Sequence, residues 1–384
     1  MVRIRENAES IALYRGEPDE ERTLRSSFAN IYRTWWAFMT YNKRLTWITA
    51  FYGQAAQKGA QLAVDQLNGK DQKYTYKLVT ADDACTPDGG AQAFNNLIDA
   101  QNVDVILGSP CSAATLAGMA VLPRSQTPAL TQSSTNATIS QESGAGGNPY
   151  MWRINLDDSL MAKVFAKYIA DQGIKKIGMI AVNNDYGRGA VASYKTEFPK
   201  NNVTVVAEQY YTQGAGEFRA QLTKIGGASP DAMLDVGASQ DAAVMVKQFK
   251  ELGLNFKIFT RGDVVSTTFQ DTAKDQCLGN GIEEATNWDG SNSVVSAYLN
   301  DYKAKYSENP LSYAGQSYYA VEAISQAVNA GGAGRAGIQK GLSRENWQSP
   351  IGTIKFDDHN QAHGNMFIEG FVSCQIKLIK TVNG

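Results

Sequence analysis

From residue 55 onward the apolar positions switch repeatedly between two periods. Ala60, Leu62, Ala63 and Leu67 fall on one face of a helix over Gln57 to Leu67, and the run Tyr74 to Thr80 (YTYKLVT) then reads as a strand. A helix over Gly90 to Ala100, a strand over Val103 to Leu107, a helix over Ala113 to Leu122 and a strand over Pro128 to Thr131 follow. The alternation resumes after Asp157. Helices are expected over Leu160 to Gln172, Ala190 to Phe198, Phe218 to Ile225 and Asp241 to Leu252. The strands between them are Lys176 to Val182, Val203 to Gln209, Ala232 to Val236 and Lys257 to Thr260. Strands that alternate with helices imply parallel sheets covered on both faces. The polar, glycine-rich stretch Ser140 to Pro149 separates one βα unit from the next, so the pattern predicts an α/β chain of two doubly wound lobes.

Chemistry enters where strands end. Gly108-Ser-Pro-Cys-Ser-Ala-Ala-Thr115 follows the VDVIL strand, and Ser133-Ser-Thr-Asn136 follows the next one. Ligands of open parallel sheets sit at the carboxyl ends of strands, where hydroxyls and free N–H groups at helix starts suit a carboxylate. One such cluster would be an ordinary helix cap. Two after consecutive strands point to a polar small-molecule site.

Composition narrows the class. The chain has 384 residues, 43% of them hydrophobic, enough for about two domains. A net charge of -2 leaves no electrostatic footprint for nucleic acid. No run of 18 apolar residues occurs, because Asn42-Lys43-Arg44 breaks Trp35 to Tyr52, so a membrane span is not expected. Arg3, Arg5, Glu6 and Glu9 stand where the apolar part of a signal peptide belongs, so none is expected.

No pair of the four cysteines has metal-knuckle spacing. Cys85 and Cys111 each follow an adjacent strand, which places them within reach of a disulfide worth about 3 to 4 kcal/mol in the chain-entropy model. Cys277 and Cys374 are expected together in the second lobe, with their bond left open. His359 and His363 lie in a polar turn and read as solvated surface, so neither a metal nor a cofactor is expected. No GxSxG elbow, P-loop, GxGxxG or HExxH motif appears, which argues against an enzyme.

A long, ordered set of motifs carries a family resemblance. It comprises Gly53-Gln-Ala-Ala-Gln-Lys-Gly-Ala-Gln-Leu-Ala-Val-Asp-Gln-Leu-Asn68, Asp82-Asp-Ala-Cys85, Gly108-Ser-Pro-Cys-Ser112, Ser133-Ser-Thr-Asn136, Trp152-Arg153, Asn184-Asp-Tyr-Gly-Arg-Gly189 and Gly352-Thr-Ile-Lys-Phe-Asp357. The chain from about Gly53 onward resembles the type I periplasmic binding proteins of the leucine/isoleucine/valine-binding family. That resemblance implies two lobes joined by a three-crossing hinge. The crossings are expected near Ile154 to Asp158, Ala285 to Asp289 and Asn365 to Glu369, which gives residues 53–155 with 287–366 as one lobe and 156–286 with 367–384 as the other.

It implies that Ser112 holds a ligand α-carboxylate, that Ser133 offers a main-chain carbonyl to an ammonium, and that Thr135 contacts both. Tyr186 is implied to close over the ligand from the opposite lobe, and Asp263 to face the ammonium. The aromatic that the family places near Ala238 or Ser239 is absent, which admits a larger or more polar ligand. Residues 1–52 resemble instead the membrane subunit of peroxisomal-type and peptide-uptake ABC transporters, in Glu6-Asn-Ala-Glu-Ser-Ile-Ala-Leu-Tyr-Arg-Gly-Glu17 and Lys43-Arg-Leu-Thr-Trp47. Leu24, Phe28, Ile31, Trp35 and Met39 give this head a helical apolar stripe.

The resulting expectation is the substrate-binding component of an ABC importer. It would take an amino acid of the branched-chain type or a related small carboxylate, reside in the periplasm, and deliver to permease subunits in the membrane. The alternative is a sensory domain of the same fold for amides or small aromatic acids.

Overall fold

The computed structural model describes residues 53–70, 73–287, 293–343, 347–349 and 352–383; the head, with the helical stripe expected from Leu24 to Met39, lies outside them. Helix α1 spans 53–69 and is followed by α2 (Pro87–Asn95), which runs into a single π turn. Strand β1 (Ile106–Leu107), helices α3 (Ser112–Met119) and α4 (Leu122–Ser125), strand β2 (Ala129–Thr131), helix α5 (Ala137–Gln141) and strand β3 (Met151–Arg153) complete the first winding. The three strands form a parallel sheet in the order β1-β2-β3.

The second winding runs α6 (Asp158–Asp171), β4 (Lys176–Val182), α7 (Asp185–Glu197), β5 (Thr204–Tyr211), α8 (Arg219–Gly227), β6 (Ala232–Val236), α9 (Ser239–Glu251), β7 (Lys257–Arg261), α10 (Thr267–Ala273) and β8 (Glu283–Thr286). Helices α11 (Ser293–Tyr306), α12 (Ser312–Gly331) and α13 (Gly334–Leu342) then pack with the first sheet. A small antiparallel sheet of β9 (Trp347–Ser349), β10 (Gly352–Phe356) and β11 (Ala362–His363) precedes the hairpin β12 (Asn365–Val372) and β13 (Gln375–Asn383). The larger sheet has the order β13-β12-β8-β7-β6-β4-β5, parallel except for β12 and β13.

The strand pattern explains the layering. Every residue of β6 is buried, with Ala232, Leu234 and Val236 in one core and Met233 in another, as period-2 side chains on a twice-covered strand require. Each fully buried leucine or methionine contributes about 1.5 to 3 kcal/mol. Helix α6 turns Met161, Phe165, Ala166 and Ile169 onto the first of these cores. Asp157 caps its start by accepting from Leu160 N at 2.8 Å, and Gly173, at φ 86, lets the chain leave its end.

One expectation needs correcting. Tyr74 to Thr80 is not a strand: residues 75–80 join no ladder among the described residues. The Asn68 side-chain amide binds both Tyr76 N and Tyr76 O at 2.8 Å, using the two backbone groups a ladder would need.

Candidate functional site

The strand order of the large sheet fixes where a site can form. After β4 the chain moves outward to β5 and then returns to place β6 on the other side of β4, so the winding reverses there. A crevice opens at such a switch point, beyond the carboxyl ends of the strands. Tyr186 follows β4, Gly237 and Ala238 follow β6, and Gly262 and Asp263 follow β7. All five line a cavity of about 150 Å³, and Ser112, Ser133 and Thr135, beyond β1 and β2 of the small parallel sheet, line it too. The five residues singled out in the sequence therefore meet in one cavity, three on one wall and two on the other.

The first wall is made of small hydroxyl residues sorted by direction. Ser109 O accepts from Thr131 Oγ1 at 3.1 Å, Ser134 Oγ at 2.9 Å and Thr115 Oγ1 at 3.3 Å, and the Thr115 and Ser134 hydroxyls lie 2.8 Å apart. This net ties the two post-strand loops together behind the cavity. Ser133 and Thr135, on either side of Ser134, line the cavity, and Ser134 does not. Their hydroxyls are buried with no hydrogen-bond partner, although Thr135 stands close enough to Asp158 to favour that carboxylate's ionised form. Ser112 opens helix α3, whose first N–H groups have no carbonyl to pair with, and its Oγ accepts from Asn136 N at 3.3 Å. Donors thus concentrate on this side.

At the edge of the same wall, Cys85 and Cys111 form a disulfide with their Cα atoms 5.3 Å apart. Asp82 and Asp83 make it accessible, because their carboxylates accept from Ala84 N and Cys85 N at 2.9 Å and hold both residues at positive φ. A second disulfide joins Cys277 to Cys374, with Cα atoms 4.6 Å apart, at the tip of the β12–β13 hairpin.

The second wall is charged and buried. Asp263 sits at φ 66 directly after Gly262 at φ 115, a left-handed pair that needs support. Glu284 on β8 supplies it by accepting from Asp263 N at 2.7 Å and Val265 N at 2.6 Å, while Ser239 Oγ donates to Asp263 O at 2.5 Å. Burial, reinforced by the neighbouring Glu284 charge, pushes the Asp263 carboxyl up to about 7, against hydrogen bonds from the side chain and backbone N–H of Ser312. Ser312 is the first residue of α12, so Asp263 meets a helix start across the cavity. Arg261 donates to Ala285 O at 2.9 Å and to Asp158 Oδ1 at 3.3 Å, which buries an ion pair in this wall. Burial raises the Asp158 carboxyl despite the Arg261 charge, and its Oδ2 has no hydrogen-bond partner.

Sequence reasoning did not find Glu284, Arg261 or Ser312. One signal was available: Glu283-Glu284 lies between the apolar Ile282 and Ala285, and on a strand period 2 turns the two acids to opposite faces. The remaining lining includes the amides Asn155, Gln213, Asn287 and Gln316, and Asn155 is 4% exposed without a side-chain partner among the described residues. The histidines lie elsewhere: His359 Nδ1 is 3.2 Å from Ser143 O, and His363 Nε2 is 3.0 Å from Asp357 Oδ2.

Comparison with known proteins shows the family to which the chain belongs. Residues 46–369 match the family described as periplasmic binding protein, and residues 1–64 match ABC transporter transmembrane region 2. An amino acid binding protein of Pseudomonas aeruginosa is 27% identical over 297 residues, covering 75% of this chain and 77% of the relative. The Leu/Ile/Val-binding protein BraC3 of Rhizobium johnstonii is 24% identical over 314 residues, covering 81% of each. Among solved structures, the substrate-binding protein LivJ of Streptococcus pneumoniae in complex with isoleucine superposes with a TM-score of 0.78 at 24% identity, covering 88% of this chain and 96% of that one. A solute-binding protein of R. palustris in complex with benzoate superposes at 0.77 with 18% identity, covering 87% and 93%.

Proposed function

We propose that this chain, which belongs to the periplasmic binding protein family, is the substrate-binding component of an ABC importer. Its ligand is an amino acid of the branched-chain type or a related small carboxylate, held between lobes 53–155 with 287–366 and 156–286 with 367–384. One observation carries this reading. A wall of hydroxyls and unpaired helix-start N–H groups faces a wall bearing a carboxylate across a single cavity. A zwitterion needs donors at one end and acceptors at the other, because each charge buried unpaired costs several kcal/mol. Ser112 and Thr135 take the carboxylate, Asp263 and the Ser133 carbonyl take the ammonium, and Tyr186 covers the ligand.

No group in the cavity is assigned a catalytic role. The two disulfides suit an oxidising compartment, in keeping with a place outside the cytoplasmic membrane beside permease subunits. A sensory domain of the same fold for amides or small aromatic acids is the second reading; the benzoate complex of the R. palustris neighbour, itself a solute-binding protein of an ABC transporter, favours the aromatic-acid ligand and not the sensory role.

A thermal-shift panel of amino acids, amides and aromatic acids tests the proposal. A ligand at 100 times its dissociation constant adds about 2.7 kcal/mol of stability. Asp263→Ala leaves the ammonium desolvated and unpaired, and is expected to cost about 2 to 5 kcal/mol of affinity for the best amino acid. If the variant binds that ligand as tightly as the parent, no ammonium sits at Asp263, and the aromatic-acid reading replaces this one.

A further inference from the structure

Two residues of the sequence motifs, Asn136 and Gly189, are not among those lining the cavity, yet they touch each other across its walls. Asn136 uses all of its polar groups. Its N–H donates to Ser112 Oγ at 3.3 Å, its carbonyl accepts from Arg153 Nη1 at 2.7 Å, and its side-chain Oδ1 accepts from Thr138 N at 2.9 Å. The remaining group, Nδ2, donates at 2.7 Å to Asp185 O, the first residue of α7 and the neighbour of Tyr186. The Asn136 side chain reaches that carbonyl by passing over Gly189 one turn along α7. A Cβ on Gly189 would lie 2.6 Å from Asn136 Nδ2 and 2.9 Å from its Cγ. Asn136 is 7% exposed, so the bond is shielded from water.

We propose that Asn136 and Gly189 form the latch that keeps the two walls of the site together once a ligand has entered, with Asn136 as a positioning residue for both. The inference rests on the reading of the cavity as an amino-acid site. The connectivity gives the latch its logic. Asn136 is bonded to Ser112, on the hydroxyl wall, and to the turn that presents Tyr186, on the other. Arg153, at the end of β3 where the chain leaves the small parallel sheet, holds it by its carbonyl. A ligand that fixes the Ser112 hydroxyl and draws Tyr186 inward brings Asn136 Nδ2 to Asp185 O. Glycine is required at 189 because the amide occupies the space of its Cβ.

Gly189→Ala separates closing from folding. Gly189 lies inside α7 and is not at positive φ, so alanine is the better helix former there. The expected result is a thermal midpoint for the ligand-free variant equal to or above the parent's, while L-leucine dissociates roughly tenfold faster in stopped-flow fluorescence, the loss of about one hydrogen bond. Its association rate stays within the parent's range, because the latch forms after encounter. A dissociation rate equal to the parent's overturns the proposal.

A second variant does not depend on the choice of ligand. Asn136→Cys with Gly189→Cys places two thiols where the amide and the missing Cβ meet, within disulfide reach. The bond is expected to form under mild oxidation, read by mass, and to form faster with L-leucine present. No bond with or without L-leucine overturns the latch. A bond that forms while L-leucine neither binds the parent nor changes the rate upholds the latch and removes the amino-acid reading.

Discussion

The two walls of the cavity are built by different means. The hydroxyl wall is local: Ser109 to Thr115, a short loop and the start of α3, and Thr131 to Asn136, the end of β2 and the loop after it, are uncharged and crosslinked by hydroxyl bonds to one carbonyl. The acidic wall is assembled from distant parts. Arg261 pairs with Asp158 more than a hundred residues earlier, Glu284 holds the turn at Asp263, and Ser312 of α12 reaches the same carboxylate. A neutral wall can be built without neutralising charge, whereas a buried charged wall stands only if each charge has a partner. The hydroxyls that line the cavity in the first wall should therefore lose affinity when trimmed, and the paired charges that support Asp263 in the second should lose stability.

The largest effect expected from this contrast is at Arg261. Replacing it by methionine keeps much of the volume but leaves Asp158, 0% exposed, without its cation. Breaking one half of a buried pair costs about 3 to 5 kcal/mol. Urea denaturation at neutral pH should show that loss, and it should shrink at low pH, where Asp158 takes up a proton. A loss below about 1 kcal/mol at neutral pH would mean that the acidic wall does not depend on its pairing.

The walls should also separate by pH. Burial, reinforced by Glu284, pushes the Asp263 carboxyl of the folded protein up to about 7 from an ordinary carboxylate value of about 3.8. The folded state holds this proton more tightly than the unfolded chain does, so the group's contribution to stability is full below about 4 and is lost as pH rises through about 7. Burial raises Glu284 and Asp158 in the same direction. Ligand affinity runs the opposite way, because an ammonium needs Asp263 ionised. Below pH 7 it should fall by about tenfold per unit, or ~1.4 kcal/mol. Calorimetric titrations from pH 5.5 to 8.5 check this, and a flat profile would place the ammonium away from Asp263.

The same contrast explains what was legible in the sequence. Ser112, Ser133 and Thr135 could be read because each follows a strand by a few residues and the loops are short. Tyr186 and Asp263 were reached through motif resemblance, but the residues that hold Asp263 in place were not, since a partner such as Ser312 is close only after the chain has recrossed between the sheets. The β12–β13 hairpin went unread for a different reason. Its turn residues Ser373 and Cys374 both have positive φ, at 52 and 65, as a tight hairpin requires, yet neither is the asparagine or glycine that marks such turns. The disulfide from Cys374 to Cys277 ties down the turn that its residue types do not specify. The expected strand over Tyr74 to Thr80 failed because propensity carried no information about the Asn68 amide that engages its backbone.

The smallest effect lies within the hydroxyl wall, between neighbours. Thr135 lines the cavity and its Oγ1 is buried and unpartnered by hydrogen-bond geometry, whereas Ser134 Oγ is committed to Ser109 O and Thr115. Thr135→Ala should therefore cost about 1 to 2 kcal/mol of affinity and little stability, since the main-chain donors remain for the carboxylate. Ser134→Ala should do the reverse, removing about 1 kcal/mol of stability by leaving part of the loop net unsatisfied while the ligand-facing hydroxyls stay in place. Paired calorimetric titration and denaturation of the two variants decide the matter. Equal losses of affinity would mean that the direction of each hydroxyl does not divide ligand from scaffold, and that the wall works only as a unit.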